Sequence, residues 1–285
     1  MNPRRANLPE GPDRRLKPEE RAFLSGLQKA IRAGALELPQ LPSSSSRAIA
    51  LAQDPKVGLE DIVDVLASDP SLSSFLLRTA NSSAIGGRHE VGTLRDAITR
   101  VGLRRLRTIV LAASMRSMIK GPDVVMDHAA EIWRQANSVA VIAQSLAGQL
   151  GIDSERAMLV GLLHDVGKIP ILARLGAHYG SELKPLMVGT AYHLFHEEAG
   201  ATMARAWSLS SEITSVAACH HSFAKNEAHG NMAALVSLAG KVDFMLQQEG
   251  DVEVDLLPEL QFLGIEPDRA ETLIEHGRTA TKAAA

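Results

Sequence analysis

The 285-residue sequence predicts an all-α protein on the strength of three observations. Apolar residues recur at helical spacing through most of the chain, and no stretch alternates apolar and polar residues as a half-buried strand would. Aromatic residues make up 4% of the chain while Ala and Leu are abundant, a balance that favours closely packed helices over sheets. Pro and Gly punctuate the helical segments. The length allows one large domain or two smaller ones.

The first predicted elements are a tail and a leading helix. Residues 1–16 are rich in Pro and charged residues and predict a loose tail, whereas 17–34 predicts a helix that ends at Gly34. A Pro-punctuated connection follows. Two Asp-Pro steps, at Asp54 and Asp69, each predict the end of a helix, because Pro disfavours the helical conformation in the preceding residue. These steps separate three short helices.

Two further breaks organise the rest of the chain. Gly102 separates two helices, and "GPD" at 121–123 predicts a boundary between two helical halves. The long helix beyond that boundary carries a polar residue, Gln135, at the head of an apolar stripe, which predicts a hydrogen-bond partner at the rim of the core. The next helix has Asp153 or Ser154 as its N-cap. Later helices are predicted over 196–207, 211–221 and 231–248, and two short ones over 253–283.

Composition and charge narrow the class of protein. The net charge is −3 and the pI about 6.4, which does not indicate a nucleic-acid binder. The four arginines of 100–107 are interpreted as the solvated face of a helix. A single cysteine, Cys219, excludes a disulfide framework and a thiolate metal site within the chain. The sequence shows no secretory signal and no apolar run long enough to span a bilayer, so we expect a cytoplasmic protein.

Histidines form the strongest candidate site. Six of the ten lie in one part of the chain: His164, His178, His193, His196, His220 and His221. In "GLLHDVGK" His164 stands beside Asp165, and adjacent residues on a helix point about 100° apart, so both reach one centre only near a helix end, which Gly167 supplies. His196 is predicted to head a helix. Imidazole and carboxylate together suit first-row divalent metals, although the carboxylate of a His-Asp pair also serves simply to fix the imidazole.

Two other groups of residues receive simpler interpretations. A lone His on an apolar face is usually a core residue, and this is the prediction for His178. His220 and His221 end a predicted helix, where both imidazoles can approach one centre.

Taken together, these segments resemble the HD-related output domain, HDOD. The residues that carry the resemblance are "ELPQLPSSSSRAIALAQDP", "IVDVLASDPSLSSFLLRTANSS" and "LRDAITRVGLRRLRTIVLA" in the first half, and "IWRQANSVAVIAQSLA", "GLLHDVGKIPIL", "HEEAGATMARAW" and "ACHH" in the second. The resemblance implies a two-part helical bundle, with HDOD-specific helices (35–121) packed on an HD-like helical core (122–250). A tail and leading helix (1–34) precede these parts, and a C-terminal helical extension (251–285) follows.

The resemblance also implies a ligand set, because HDOD is related to the HD metal phosphohydrolases and the HD-GYP cyclic-dinucleotide phosphodiesterases. The positions that match metal ligands of those enzymes are His164, Asp165, His196, His220 and His221. Two positions depart from the pattern: Gln135 stands where the first His ligand is expected, and Gly240 stands where the last Asp is expected. The matching residues are therefore interpreted as a vestigial or partial metal site.

These departures lead us to expect no resident metal and no catalysis. Such a site has one carboxylate to offset a divalent charge, and without a well-held ion water is not acidified towards neutral pH. The alternative retains one or two divalent ions, Fe, Mn, Ni or Zn, with His193 as a candidate substitute ligand. Gly240 costs about 1 kcal/mol relative to Ala inside a helix, which indicates close packing or a small cavity. Lys168 either contacts an anion, as in active relatives, or places positive charge at a helix end.

The expected function is a non-catalytic output module in bacterial signal transduction that acts through protein–protein interaction. The expected partner is another signalling protein or a second copy of the chain, with neither nucleic acid nor a membrane involved. Two alternatives remain open. One is a residual phosphohydrolase or phosphodiesterase that acts on a nucleotide or cyclic dinucleotide, and the other is a nucleotide receptor without hydrolysis.

Overall fold

The computed structural model of the protein consists of helices and the turns between them. The residues that it describes are 15–54, 56–82, 85, 89–247 and 258–284. Within these ranges there is no β-strand, and the predicted all-α class is confirmed. The described helices also include none with the length and apolar character that crossing a bilayer requires.

The chain divides into two compact units that are not continuous in sequence. The larger unit comprises Met1–Pro39 and Ile119–Gly277, and the smaller comprises Gln40–Met118 and Arg278–Ala285. The leading helix, α1 (Pro18–Arg32), therefore belongs with the C-terminal half rather than with the helices that follow it.

Apolar packing and an ion pair attach α1 to the rest of the larger unit. Leu24, Leu27 and Ile31 are buried along one face of α1, which packs against α10 (Pro185–Ala206). Lys184, immediately before α10, lies 3.2 Å from Glu20 between Nζ and Oε1. Because exposed ion pairs contribute little, the apolar face supplies most of the stabilisation.

Among its described residues, the smaller unit has five complete helices around an apolar core. These helices are α2 (Ser43–Gln53), α3 (Leu59–Ala67), α4 (Pro70–Ala80), α5 (Leu94–Val101) and α6 (Leu103–Ser117). The core includes the fully buried Leu66, Leu76 and Leu106. Asp69 accepts hydrogen bonds from the N–H groups of Ser71 and Leu72, so the second Asp-Pro step ends one helix and caps the next, as predicted.

Two other predicted breaks in this unit have distinct outcomes. Asp54 ends α2, but Pro55 of the first Asp-Pro step lies outside the described residues, and α3 begins later, after Gly58. Gly102 separates α5 from α6 with φ +77°, a conformation that side chains disfavour. The break between these helices therefore depends on glycine at that position.

The larger unit holds the histidines. Its helices beyond α1 are α7 (Asp123–Leu150), α8 (Ser154–Leu163), α9 (Lys168–Tyr179), α10, α11 (Ser211–Cys219), α12 (Gly230–Leu246), α13 (Pro258–Phe262) and α14 (Pro267–Ala284), the last of which runs beyond Gly277. Helix α7 begins at Asp123, the last residue of the predicted break at 121–123, and ends at Leu150, after which Gly151 adopts the left-handed conformation. Asp153 is the N-cap of α8.

The C-terminal extension packs on this unit through a buried carboxylate. Glu259 in α13 is 2% exposed, and its two oxygens accept hydrogen bonds from Ser237 Oγ at 2.7 Å and Lys241 Nζ at 2.5 Å on α12. Further along, Gly277 lies so close to Ile142 of α7 that an added Cβ would be 3.1 Å from its Cγ2. Two short helices were predicted over 253–283. The structure has the 5-residue α13 and the 18-residue α14, so the second helix is longer than predicted.

Candidate functional site

The site is built on the turn between α8 and α9. Helix α8 ends at Leu163, residues 164–167 form the turn, and α9 begins at Lys168. His164 and Asp165 are 4% and 6% exposed, so a carboxylate is buried where it needs compensating partners. The helix end predicted from Gly167 is therefore present, and it allows His164 and Asp165 to face the same centre.

The two oxygens of Asp165 have different partners. Oδ2 lies 3.2 Å from His164 Nε2 and 2.5 Å from Lys168 Nζ. Oδ1 lies 3.5 Å from both His196 Nε2 and His220 Nε2, and it has no hydrogen-bond partner among the described residues. We call Oδ1 with His196 and His220 the α10 side of the centre. The α7 side consists of Oδ2 together with His164, Lys168 and the nearby Gln135.

The backbone fixes the orientation of three imidazoles. The Nδ1 atoms of His164, His196 and His220 lie 2.7, 2.5 and 3.2 Å from main-chain carbonyl oxygens of their own helices, those of Gly161, Tyr192 and Val216. A carbonyl only accepts, so Nδ1 carries a proton in each ring, and Nε2 is the ring atom directed towards Asp165. Metal-ligating histidines are held in this way, by a hydrogen bond from the other ring nitrogen.

The α10 side has the donor spacing of a single metal ion. His196 Nε2 and His220 Nε2 are 3.3 Å apart, so with Asp165 Oδ1 they form a triangle with edges of 3.3, 3.5 and 3.5 Å. One face of a tetrahedron around an ion with bonds near 2.05 Å has edges of about 3.3 Å. Because imidazole nitrogens and a carboxylate oxygen are the ligand types of zinc, and Oδ1 lacks a hydrogen-bond partner, the residues present fit one ion of the zinc class.

The donor set does not fit two divalent ions. His221 joins His196 and His220 in a second group of potential ligands, but that group shares His220 with the group formed by His164 and Asp165. Two divalent ions would bring four positive charges to one carboxylate, with the Lys168 ammonium already 2.5 Å from Oδ2. Such an excess of buried positive charge is strongly unfavourable.

Burial and charge shift the pKa values in this centre. Burial raises the pKa of Asp165, but the positive charges of His164 and Lys168 outweigh it and hold that pKa well below its usual range. Burial lowers the pKa of His196 to about 3, although the charge of Asp165 acts in the opposite direction. Burial, and then the charge of Asp165, raise the pKa of Tyr192. His196 is therefore neutral at pH 7 and presents an acceptor nitrogen to the centre.

Gln135 binds Lys168 instead of facing the histidines. Its Oε1 accepts a hydrogen bond from Lys168 Nζ at 2.7 Å, which is the partner predicted for a polar residue at the rim of the core. The ammonium also lies 5.7 Å from the centre of the Tyr192 ring. The interpretation of Lys168 as a helix-end charge is wrong, because it begins α9, where the helix dipole disfavours a cation.

At Gly240 one of the two expected features, close packing, is absent. A Cβ built at Gly240 meets nothing within 4 Å, so close packing does not explain glycine there. One turn further along α12, Asp243 is 2% exposed and binds Arg134, the neighbour of Gln135, with Oδ1 and Nη1 3.1 Å apart. Asp243 is therefore a buried carboxylate that is paired with an arginine, and it was not predicted from the sequence.

Gly167, predicted only as a helix end, and Glu197, which the sequence did not indicate, hold the histidines in place. Gly167 has an ordinary helical φ of −66°, but a Cβ there would lie 2.1 Å from the carbonyl oxygen of His196, so glycine lets α9 start against α10. Glu197 Oε1 accepts a hydrogen bond of 3.0 Å from the backbone N–H of His221, which ties α10 to the 3₁₀ turn His220–Lys225. Both roles depend on tertiary contacts.

The remaining histidine predictions have mixed outcomes. His196 lies in the middle of the 22-residue α10, so the prediction that it heads a helix is wrong. His220 follows the last residue of α11, as predicted. His193 is exposed and belongs to neither group of potential ligands. The core prediction for His178 is also wrong, because it is exposed and stacks on Phe23 with ring centres 4.5 Å apart.

Comparisons with known proteins place this arrangement in context. An uncharacterised protein from Treponema pallidum (strain Nichols) is 27% identical over 196 residues, which are 65% of this chain but only 38% of that relative's length. A structure from Shewanella amazonensis SB2B, named provisionally as a metal-dependent phosphohydrolase, has 20% identity and a TM-score of 0.74, with 94% of this chain and all of that chain covered.

A third relative connects the fold with signalling by name. A structure from Marinobacter aquaeolei VT8, named provisionally as a signal transduction protein, has 23% identity and a TM-score of 0.64 and covers 93% of this chain and 65% of its own. The sequence model of the HDOD domain matches residues 38–223, well over half of the chain. On that match, together with the shared helical fold, the chain belongs to the HDOD domain family.

Proposed function

We propose that this chain is a non-catalytic signalling module of the HDOD family that acts through protein–protein interaction. The observation that supports this proposal best is the internal pairing of Lys168. Its ammonium lies 2.5 Å from Asp165 Oδ2 and 2.7 Å from Gln135 Oε1, and its side chain is 12% exposed. A lysine that stabilises a substrate phosphate must offer its N–H donors to that phosphate, and here they are directed to the protein itself.

The ligand positions support the same conclusion. Phosphoester hydrolysis by an HD-type centre requires an ion held firmly enough to acidify a water molecule. Gln135, at the expected position of the first His ligand, is bound to Lys168, and Gly240, at the expected position of the last Asp, has no side chain. One similar structure is named as a signal transduction protein and another as a metal-dependent phosphohydrolase, so a signalling role and phosphoester hydrolysis are the two candidate functions.

A residual metal-dependent phosphohydrolase is the second candidate, and the α10 side favours it. Asp165 Oδ1, His196 Nε2 and His220 Nε2 would hold the ion, which when bound would supply an acidified water and polarise a phosphoryl oxygen. The protein's own contribution would be to orient the two imidazoles through Tyr192 and Val216 and to exclude bulk water from the buried carboxylate.

A metal and turnover assay distinguishes the two candidates. Purified protein would be analysed for Mn, Fe, Ni and Zn, and then assayed with each added ion against bis-p-nitrophenyl phosphate, nucleotides and cyclic dinucleotides. We expect no turnover above that of Asp165→Asn. Turnover that is lost in Asp165→Asn and kept in Asp127→Asn, a matched change at an exposed residue of α7, would overturn the proposal.

Two further measurements test the remaining parts of the proposal. Calorimetry with the same nucleotides should show no binding, because the Lys168 ammonium is already paired. Cross-linking in cells identifies candidate partner proteins, and binding is then measured between the purified chain and each purified partner. If none of these pairs binds, the proposed mode of action is contradicted.

A further inference from the structure

The α7 side of the centre already holds a cation, the Lys168 ammonium. Asp165 offers one oxygen to each side, and the positive group nearest to Oδ2 is the Lys168 ammonium, 2.5 Å away. Oδ1, on the α10 side, has no hydrogen-bond partner among the described residues. The two oxygens of one carboxylate therefore face different electrostatic surroundings.

The surroundings of Lys168 resemble those of a bound cation. Its ammonium contacts a carboxylate oxygen of Asp165 and the amide oxygen of Gln135, and it lies 5.7 Å from the face of Tyr192. Two oxygen acceptors and an aromatic face satisfy an ammonium group, which has three donors and no acceptor. The side chain is held along a buried path, since it is 12% exposed.

We propose that Lys168 is a built-in cation that occupies the α7 side, so that the centre accepts at most one divalent ion and only on the α10 side. This inference deepens the proposed function, since it explains how a buried carboxylate is neutralised in a module that does not need a two-metal centre. Gln135 has a role in this arrangement, because its amide oxygen holds the ammonium in place.

Repulsion between the Lys168 ammonium and a divalent ion sets the size of the effect. A divalent ion beside Oδ2 would lie within a few ångströms of the ammonium, because both would have to contact the same oxygen. Repulsion between charges at that distance, even at an effective dielectric constant near 20, weakens binding on the order of 100-fold or more. Removing the charge of Lys168 should restore that affinity, whereas removing a distant lysine should not.

The test is the metal stoichiometry of the full chain, measured by titration with Co²⁺ and Zn²⁺. Calorimetry gives the number of ions, elemental analysis after desalting confirms it, and the visible absorption of Co²⁺ reports coordination. Lys168→Gln removes the charge and keeps a donor, Lys168→Arg keeps the charge, and Lys29→Gln is the control on the exposed face of α1. Circular dichroism verifies folding, and Lys168→Met replaces Lys168→Gln if the latter does not fold.

We expect the wild type, Lys168→Arg and Lys29→Gln to bind at most one ion each. Lys168→Gln should bind one ion more than the wild type. The affinity of that additional site should be on the order of 100-fold higher than the affinity of the same site in the wild type. Two ions in the wild type, no gain in Lys168→Gln, or an equal gain in Lys168→Arg would overturn the inference. Its failure is distinct from that of the proposed function, because metal stoichiometry decides this inference, whereas phosphoester turnover and partner binding decide the proposed function.

Discussion

The two sides of Asp165 show how one buried carboxylate can have two kinds of support. On the α10 side, backbone carbonyls fix His196 and His220, and the contact of Gly167 with the His196 carbonyl leaves no room for a Cβ. On the α7 side, long and flexible side chains meet: Lys168 spans from Asp165 to Gln135. The first side is defined by steric fit and the second by charge.

This difference indicates which changes each side tolerates. Close-packed backbone cannot accommodate added atoms without movement, so the α10 side should be sensitive to volume. A lysine and an amide can adopt other rotamers, so the α7 side should respond mainly to the loss of charge or of a hydrogen bond. Substitutions that change side-chain volume without changing charge, or charge without changing volume, therefore test this difference between the two sides.

The largest effect is expected from Gly167→Ala. The new Cβ would meet the carbonyl oxygen of His196 at 2.1 Å and the backbone of Gly200 at 2.3 Å, so α9 and α10 must separate. We expect a loss of about 3 kcal/mol of unfolding free energy, measured in urea. Gly189→Ala is the matched control, because it is exposed on α10 with nothing within 4 Å of a Cβ, and it should be stabilising.

The sequence predicted most of the fold because local signals determine helix ends. Asp69-Pro70 and Gly102 ended helices where expected, and the helix end predicted from Gly167 in "GLLHDVGK" is present. The full extent of α10 was missed. This helix packs against α1, α9 and α11, so its apolar residues face several directions and do not form a single stripe.

The candidate site was only partly readable from the sequence, for a related reason. His164, Asp165, His196 and His220 were named from motif and resemblance, and the structure brings their side chains together. The pairing of Lys168 with Gln135 joins residues 33 positions apart, through the packing of α9 on α7. Tertiary contacts of this kind leave no periodic signal in the sequence.

A second prediction uses pH to measure the burial of the α10 side. The pKa of His196 is about 3 in the folded protein and near 6.5 when unfolded, so below pH 6.5 the unfolded chain takes up a proton that the folded chain refuses. Stability should therefore be complete above pH 6.5 and fall by up to about 1.4 kcal/mol per pH unit towards pH 3.

The contribution of Asp165 does not obscure this slope. Its pKa is held below the usual range, so it stays ionised in both states above about pH 5 and its stabilisation is lost only in more acidic solution. Urea unfolding at pH 7, 6 and 5 should show a drop of about 2 kcal/mol between pH 7 and pH 5. His196→Gln should abolish most of that drop, and an unchanged slope in this variant would contradict the assignment to His196.

The smallest effect is expected at Gly240, where the resemblance places a ligand that the chain lacks. A Cβ there meets nothing within 4 Å, in contrast to Gly167, and the residue lies inside α12. Gly240→Ala should therefore stabilise the protein by up to about 1 kcal/mol, because alanine is the better helix former and reduces the entropy of the unfolded chain. Urea unfolding of this variant beside Gly167→Ala gives the comparison directly. Destabilisation by both changes would mean that volume limits the surroundings of Gly240 as it limits the α10 side.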